Sequence, residues 1–195
     1  MIPFIGLTGG IGAGKSTALD ALTRLGAACL STDAVVHELY ESPEVRDAVA
    51  GHFGAGVVRA GAIDRPRLAR EAFASDEQRA WLEKLLWPRV GARMVGWREQ
   101  LERGSEPPRA AVVEVPLLFE SGMEKAFDAT IAVIADEGVR QERASTRGHQ
   151  ALHERAARQL RQQEKSERAT YTVVNDGTVA DLERKLSAIL DMLHR

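Results

Sequence analysis

A single cysteine, Cys29, is all the chain carries, which rules out an internal disulfide and a thiolate zinc cluster. No stretch reaches the ~18 consecutive apolar residues of a membrane span. The start, Met1-Ile2-Pro3-Phe4-Ile5, lacks a basic segment followed by an apolar run and a cleavage site. Nor is there a basic excess: the net charge is −2, whereas a long nucleic-acid surface needs clustered cations to displace counterions. Repeats, low-complexity tracts and an Asn-Lys-x-Asp string for guanine recognition are also missing, and the histidines show no metal-ligand spacing. These absences leave a soluble cytoplasmic protein without nucleic-acid or membrane partners as the expectation.

What is present suits one substantial core: 195 residues, 44% hydrophobic and 28% charged. Phe4-Ile5-Gly6-Leu7 is a short apolar run of the kind buried on both faces of a parallel sheet. A glycine-rich turn follows. Ser16 to Leu25 then has apolar residues at helical spacing and stops at Gly26. Further strands are expected at Ala27–Ser31, Ala111–Val115, Thr130–Ile134 and Tyr171–Val174. A terminal helix is expected from Thr178, with Asp181 as its capping-box partner. Alternating elements of this kind give a parallel sheet covered by helices on both faces.

Two stretches exceed that alternation. Residues 34–103 are mostly helical in pattern, carry Trp81, Trp87 and Trp97, and are punctuated by Gly54, Gly61, Pro66 and Pro88; they read as a substrate-binding insert. Residues 136–168 are helical in pattern but dense in Arg, Gln and Glu, as in a cover that closes over a site. The core is then 1–33, 104–135 and 169–195 of a single domain. Cys29 and the tryptophans read as core residues, with stacking on an acceptor base the alternative for Trp87.

Gly9-Gly10-Ile11-Gly12-Ala13-Gly14-Lys15-Ser16-Thr17 is the full Walker spacing, set between a strand and a helix. Glycines let successive N–H groups point at phosphate oxygens, and the helix N-terminus adds its positive dipole end. Lys15 can reach the β- and γ-phosphates, the Ser16 hydroxyl can ligate Mg²⁺, and Thr17 offers a second hydroxyl. A nucleoside triphosphate is therefore the expected ligand. Binding of this kind is shared by kinases, GTPases and motor proteins, so the loop does not name the reaction.

A kinase needs a group that orients the acceptor hydroxyl and cations from outside the loop. Asp33 comes directly after the second strand, at the edge where ligands bind in this architecture. Position alone leaves open whether it is a base, a metal partner or a helix N-cap. Glu114 ends a strand where a carboxylate serving Mg²⁺ through water belongs; a plain strand-end residue is the alternative. Arg140, Arg143, Arg147, Arg155, Arg158 and Arg161 put guanidinium groups along the expected cover, either as a solvated face or as phosphate-binding cations.

With these residues in hand, the chain resembles the dephospho-CoA kinase family over essentially its whole length. The resemblance rests on Leu7 to Thr17, on Asp33, and on Gly61 with Asp64-Arg65-Pro66-Arg67-Leu68 and Phe73. It rests further on Pro116-Leu117-Leu118-Phe119-Glu120-Ser121-Gly122, Gln141-Glu142-Arg143, Arg147, Gln159, Glu164-Lys165 and Asn175-Asp176-Gly177. It implies an α/β, P-loop kinase-type three-layer sandwich with a five-stranded parallel sheet, a helical substrate-binding insert and a small helical lid. It implies transfer of the γ-phosphate of ATP, with Mg²⁺, to the 3′-hydroxyl of dephospho-CoA, the last step of coenzyme A biosynthesis. Lys15, Asp33 and Arg147 would then be catalytic. Arg147, Asn175 and Gly177 would join the loop in binding ATP, while Thr8, Asp33, Arg65, Leu117 and Glu120 would contact the acceptor. Metal would be held by Ser16, with Asp33 or Glu114 through water. A monomer is expected, an oligomer being compatible. The chain departs from the family pattern at Trp87, where His precedes Pro, and at Ser31, Glu114 and Thr170, where Asp is common. A nucleoside or nucleotide kinase on the same scaffold, and an ATP-dependent switch, are the competing readings.

Overall fold

Phe4–Gly9 forms strand β1, and all six of its residues are buried, as befits a run sheltered on both faces of a parallel sheet. The computed structural model describes residues 1–145 and 159–194. The chain divides into two units, Met1–Ser31 with Arg98–Arg195, and Thr32–Trp97. In the first unit β1 lies between β5 (Ala111–Glu114) and β6 (Ala129–Ile134), with β2 (Ala28–Ser31) and β7 (Tyr171–Val174) outermost. The sheet order is β2-β5-β1-β6-β7, and every pairing is parallel.

Alternation along β1 decides which helices cover which face. Ile5 and Leu7 point into a core completed by Leu22 of α1 (Lys15–Arg24) and by Leu182, Leu186 and Leu190 of α8 (Val179–Leu193). Each such leucine stabilises the fold by about 1.5–3 kcal/mol through burial. Phe4 lies on the opposite face, where its ring stacks on Phe127 with centroids 4.8 Å apart. Gly6 shares that face because a Cβ there would fall 2.9 Å from the Phe127 ring. The short helix α7 (Gln162–Arg168) packs on β6 and β1. Its Arg168 guanidinium sits 4.8 Å over the Phe119 ring and pairs with Glu124 at 2.7 Å.

Helix α8 starts as its sequence requires. The Thr178 hydroxyl accepts from the Asp181 N–H at 3.2 Å, and the Asp181 carboxylate accepts from the Thr178 hydroxyl and N–H at 2.8 and 3.3 Å. Those bonds from Thr178 hold the Asp181 carboxyl below the usual carboxylate range. A depressed carboxylate pKa adds stability above the unfolded value, about pH 4, and loses it as pH falls through the folded one. Thr178→Ala should therefore lower Tm by roughly 2–4 °C at neutral pH, and the gap should narrow in acid. Thermal melts at several pH values check this; a gap that widens toward low pH would contradict it.

The second unit contains α2 (Thr32–Glu41), α3 (Pro43–Phe53), the hairpin β3–β4 (Val58–Arg59, Ala62–Ile63) and α4 (Arg65–Ala72). The sequence reading did not anticipate this hairpin. Asp64 caps α4 by accepting from the Arg67 N–H at 3.1 Å, with Pro66 in the first turn. Val45, Val49, Val57, Leu68 and Leu86 form the core of the unit, and Trp81 packs against it with its ring stacked 3.8 Å from that of His52. Trp87 departs from expectation: it is 45% exposed rather than a core residue.

Pro88 does not interrupt the helix that contains it. The helix α5 runs without a break over Asp76–Arg103. Pro88 has no N–H for the carbonyl four residues back, and the Arg89 guanidinium donates to the next carbonyl, that of Leu85, at 2.7 Å. Among the described residues no helix is long and apolar enough to cross a membrane.

Candidate functional site

The loop between β1 and α1 is shaped by contacts with distant parts of its own unit. Gly14, the residue before α1, has φ 94°, and a Cβ there would fall 2.1 Å from the Asn175 Nδ2. Only glycine tolerates both conditions. Asn175 follows β7, is 5% exposed, and donates from Nδ2 to the Ala13 carbonyl at 2.9 Å. Its own carbonyl accepts from Arg143 Nη1 at 3.1 Å. The resemblance implied that Asn175 serves ATP; what the structure displays is a buried amide that fixes the loop.

Lys15 opens α1, and its ammonium donates to the carbonyls of Gly9 and Gly10 at 3.0 and 3.3 Å. The cation is thus held at the loop itself, beside a helix N-terminus whose free N–H groups attract anions. Ser16 is exposed in the first turn, and Thr17 is half-buried. Arg140, on α6 (Glu137–Ser145), donates from Nε to the Ile11 carbonyl at 3.0 Å and pairs with Glu137 at 2.9 Å. Arg147 lies outside the described residues. A cleft of about 340 Å³ adjoins the loop, lined by Gly10, Ile11, Glu137, Arg140 and residues 159–162. The sequence reading singled out Arg147 from the arginine run and missed the seating of Arg140 on the loop, because no local spacing distinguishes one arginine of that run from another.

At the same end of the sheet, Ser31 and Glu114 are register partners on β2 and β5. The Ser31 hydroxyl donates to Glu114 Oε2 at 2.9 Å. Two of the departures from the family pattern thus meet in one hydrogen bond. A third, Thr170, exchanges bonds with Thr130, each hydroxyl accepting the other residue's N–H at 3.0 Å. Among the described residues no group of three or more His, Cys, Asp or Glu side chains could hold a metal ion. The Ser16 hydroxyl and the Glu114 carboxylate are oxygen donors of the kind Mg²⁺ takes, an ion that keeps waters and binds substrate phosphates instead of using an all-protein cage.

The Pro116–Gly122 string folds back on itself. Ser121 donates from both N–H and hydroxyl to the Leu117 carbonyl, at 3.0 and 2.7 Å. Leu118 and Phe119 are buried and anchor the turn, while Leu117 and Glu120 are half-buried. Glu120 is engaged within the protein: Oε1 lies 2.9 Å from the Lys165 ammonium and accepts from the Leu160 N–H at 2.8 Å. Thr8, fully buried, donates to the Pro116 carbonyl at 3.3 Å. Gly177 follows β7 in an exposed turn.

Asp33 and Arg65 belong to the other unit. The helix containing Asp33 begins at Thr32, so Asp33 lies inside the first turn and not at the cap, and it is exposed. Arg65 is exposed in the first turn of α4. Cys29 is half-buried in β2, with its thiol directed to the Leu19 carbonyl at 3.6 Å. Burial raises its pKa, the opposite of what a nucleophilic thiol needs.

Comparison with known proteins bears on what this arrangement does. A family model described as dephospho-CoA kinase matches residues 3–181. The dephospho-CoA kinase of Deinococcus radiodurans is 40% identical over 194 residues, covering 97% of this chain and 91% of its own. That of Bacillus licheniformis is 34% identical over 192 residues, covering 96% and 94%. Among solved structures, TT1252 from Thermus thermophilus has a TM-score of 0.79 at 34% identity, with 98% of both chains covered. The dephospho-CoA kinase of Campylobacter jejuni has a TM-score of 0.71 at 23% identity, covering 99% and 98%, a likeness of fold.

Proposed function

Since the chain belongs to the dephospho-CoA kinase family, we propose that it transfers the γ-phosphate of ATP to the 3′-hydroxyl of dephospho-CoA, giving coenzyme A and ADP. The observation that carries this is the phosphate loop with the Lys15 ammonium on its carbonyls, within a chain that matches the family over residues 3–181.

Loop N–H groups and the N-terminus of α1 bind the β- and γ-phosphates, and Lys15 neutralises charge that spreads over the phosphoryl oxygens during transfer. Arg140, already seated on the loop, supplies a second cation near the same oxygens, and Arg147 a third. Asn175 serves ATP by fixing the loop, and the turn at Gly177 lies toward the base. Asp33 accepts the proton of the attacking hydroxyl or orients it, and Arg65 and Leu117 face the acceptor; Thr8 is fully buried and Glu120 is bonded to Lys165 and Leu160, so these two serve the acceptor side through the Pro116–Gly122 turn and not by contact. Mg²⁺, held by Ser16 with Glu114 or Asp33 through water, would neutralise phosphate charge. On this reading the unit Thr32–Trp97 takes the acceptor, residues 136–168 act as a lid, and the protein works as a cytoplasmic monomer.

An acceptor panel tests the reaction. With ATP and Mg²⁺, coupled ADP release should be fastest with dephospho-CoA, and coenzyme A should accumulate in step with ADP. Preferential phosphorylation of AMP, CMP or a nucleoside would overturn the assignment, and ATP binding without any phosphorylated acceptor would favour a switch.

A further inference from the structure

Helix α7 contributes a lysine whose environment the phosphoryl-transfer reading does not use. Lys165 is 0% exposed. Its ammonium donates to the Pro116 carbonyl at 2.8 Å and to the Thr8 hydroxyl at 3.3 Å, and pairs with Glu120 Oε1 at 2.9 Å. An ammonium has three donors, and these three contacts use them all. Burial pushes the Lys165 pKa down, against the pull of Glu120.

The partners of that ammonium are not a random set. Thr8 immediately precedes Gly9 at the head of the phosphate loop, and its hydroxyl passes the bond on to the same Pro116 carbonyl. Pro116 and Glu120 belong to the turn assigned to the acceptor. Glu120 also holds the Leu160 N–H, and Leu160 lines the cleft beside Gly10 and Arg140. Two residues on, the Gln162 amide brackets Ala135, donating to its carbonyl at 2.8 Å and accepting from its N–H at 2.9 Å.

Stability alone does not account for this arrangement. A buried ion pair is often no better than well-packed apolar side chains of the same volume, because both ions must be stripped of water. Here the pair is not even fully satisfied: Glu120 Oε2 is buried with no hydrogen-bond partner among the described residues. What the ammonium does is join the head of the donor loop to the acceptor-side turn, and Glu120 of that turn in addition holds the Leu160 N–H at the wall of the cleft.

We propose that Lys165 is a positioning residue for phosphoryl transfer, clamping Thr8 and the phosphate loop behind it to the Pro116–Gly122 turn so that donor and acceptor are held in register. The proposal rests on the assigned reaction. It assigns Lys165 no contact with either substrate. Misplacement by about 1 Å costs up to ~10²-fold in rate when two reactants must meet in line. The predicted effect therefore falls on kcat for transfer more than on ATP binding.

Lys165→Met alone strands a buried carboxylate, so the informative variant is Lys165→Met with Glu120→Gln, which removes both charges and keeps an acceptor for the Leu160 N–H. It should melt within a few degrees of the wild type and keep KM for ATP within about threefold. Its kcat for transfer to dephospho-CoA should fall about tenfold or more, while ATP hydrolysis without acceptor falls much less. Thr8→Val should reproduce the split, and Thr8→Ser, which keeps the hydroxyl, should restore transfer. Transfer within twofold of wild type in the double variant, or equal loss of transfer and hydrolysis, overturns the proposal. Should the double variant fail to fold, wild-type transfer by Thr8→Val does the same. A wild-type protein that does not phosphorylate dephospho-CoA at all would instead remove the assigned reaction.

Discussion

Lys15→Ala should leave a folded protein whose kcat is lower by about 10³-fold or more. The transferring phosphoryl group spreads negative charge over its equatorial oxygens, and in the proposed reaction the cation that follows this charge is the Lys15 ammonium, which the structure holds at the loop on the Gly9 and Gly10 carbonyls. Loop N–H groups and the dipole of α1 persist in the variant, so ATP affinity should fall less than kcat. The fold should survive because Lys15 occupies the first position of α1, where alanine is well tolerated. Steady-state kinetics with a thermal melt check both parts. A kcat within tenfold of wild type would remove Lys15 from the transition state, and a collapsed melt would leave Lys15→Met as the variant to measure.

Features set by local chemistry were legible in the sequence. The apolar runs of β1, β5 and β6, the strand-to-helix setting of the glycine loop and the Thr178 capping box all depend on residues within a few positions of one another. Pro88 misled because a proline removes one backbone bond and crowds the preceding turn without always ending a helix, and this one lies inside a helix that continues over Asp76–Arg103. Trp87 misled for a related reason. A large aromatic on a helix reads as core until the facing element is known, and this one is 45% exposed.

The site divides along the same line. Lys15 and Ser16 could be named from spacing, because the loop and the start of its helix are continuous in the chain. Lys165 and Thr8 are 157 residues apart, and Asn175 and Ala13 are 162 apart. No periodicity links them. Their pairing follows from sheet order, since β1 and β7 both flank β6 and their C-terminal ends open toward the same loop. Ser31 and Glu114 show this in miniature. As isolated departures from the family pattern each looks like a weakened site, but as register partners they are one hydroxyl–carboxylate pair. The pairing sets a hydroxyl against a carboxylate, where two adjacent carboxylates would repel.

Asp33→Asn should lower kcat by about 10²–10⁴-fold, the range set by loss of a positioned general base, with little change in stability. The two roles open to Asp33 from position alone make different demands. As a cap it would precede the helix and accept from backbone N–H groups, and asparagine does that nearly as well as aspartate. The helix begins at Thr32, one residue ahead of Asp33, so the carboxylate adds favourable charge in the first turn. That is worth about 0.3–1 kcal/mol at an exposed position. Asparagine keeps the shape and loses both the charge and the ability to take a proton. If Asp33 serves the acceptor hydroxyl, kcat falls steeply while KM for ATP stays within a few-fold and Tm moves by no more than a few degrees. If it serves only the helix, kcat holds at temperatures well below the melt, and activity declines only in step with unfolding. Measuring kcat at a temperature where both proteins are fully folded separates the two, and an Asp33→Asn enzyme within threefold of wild type there would end the case for Asp33 as the acceptor-side base.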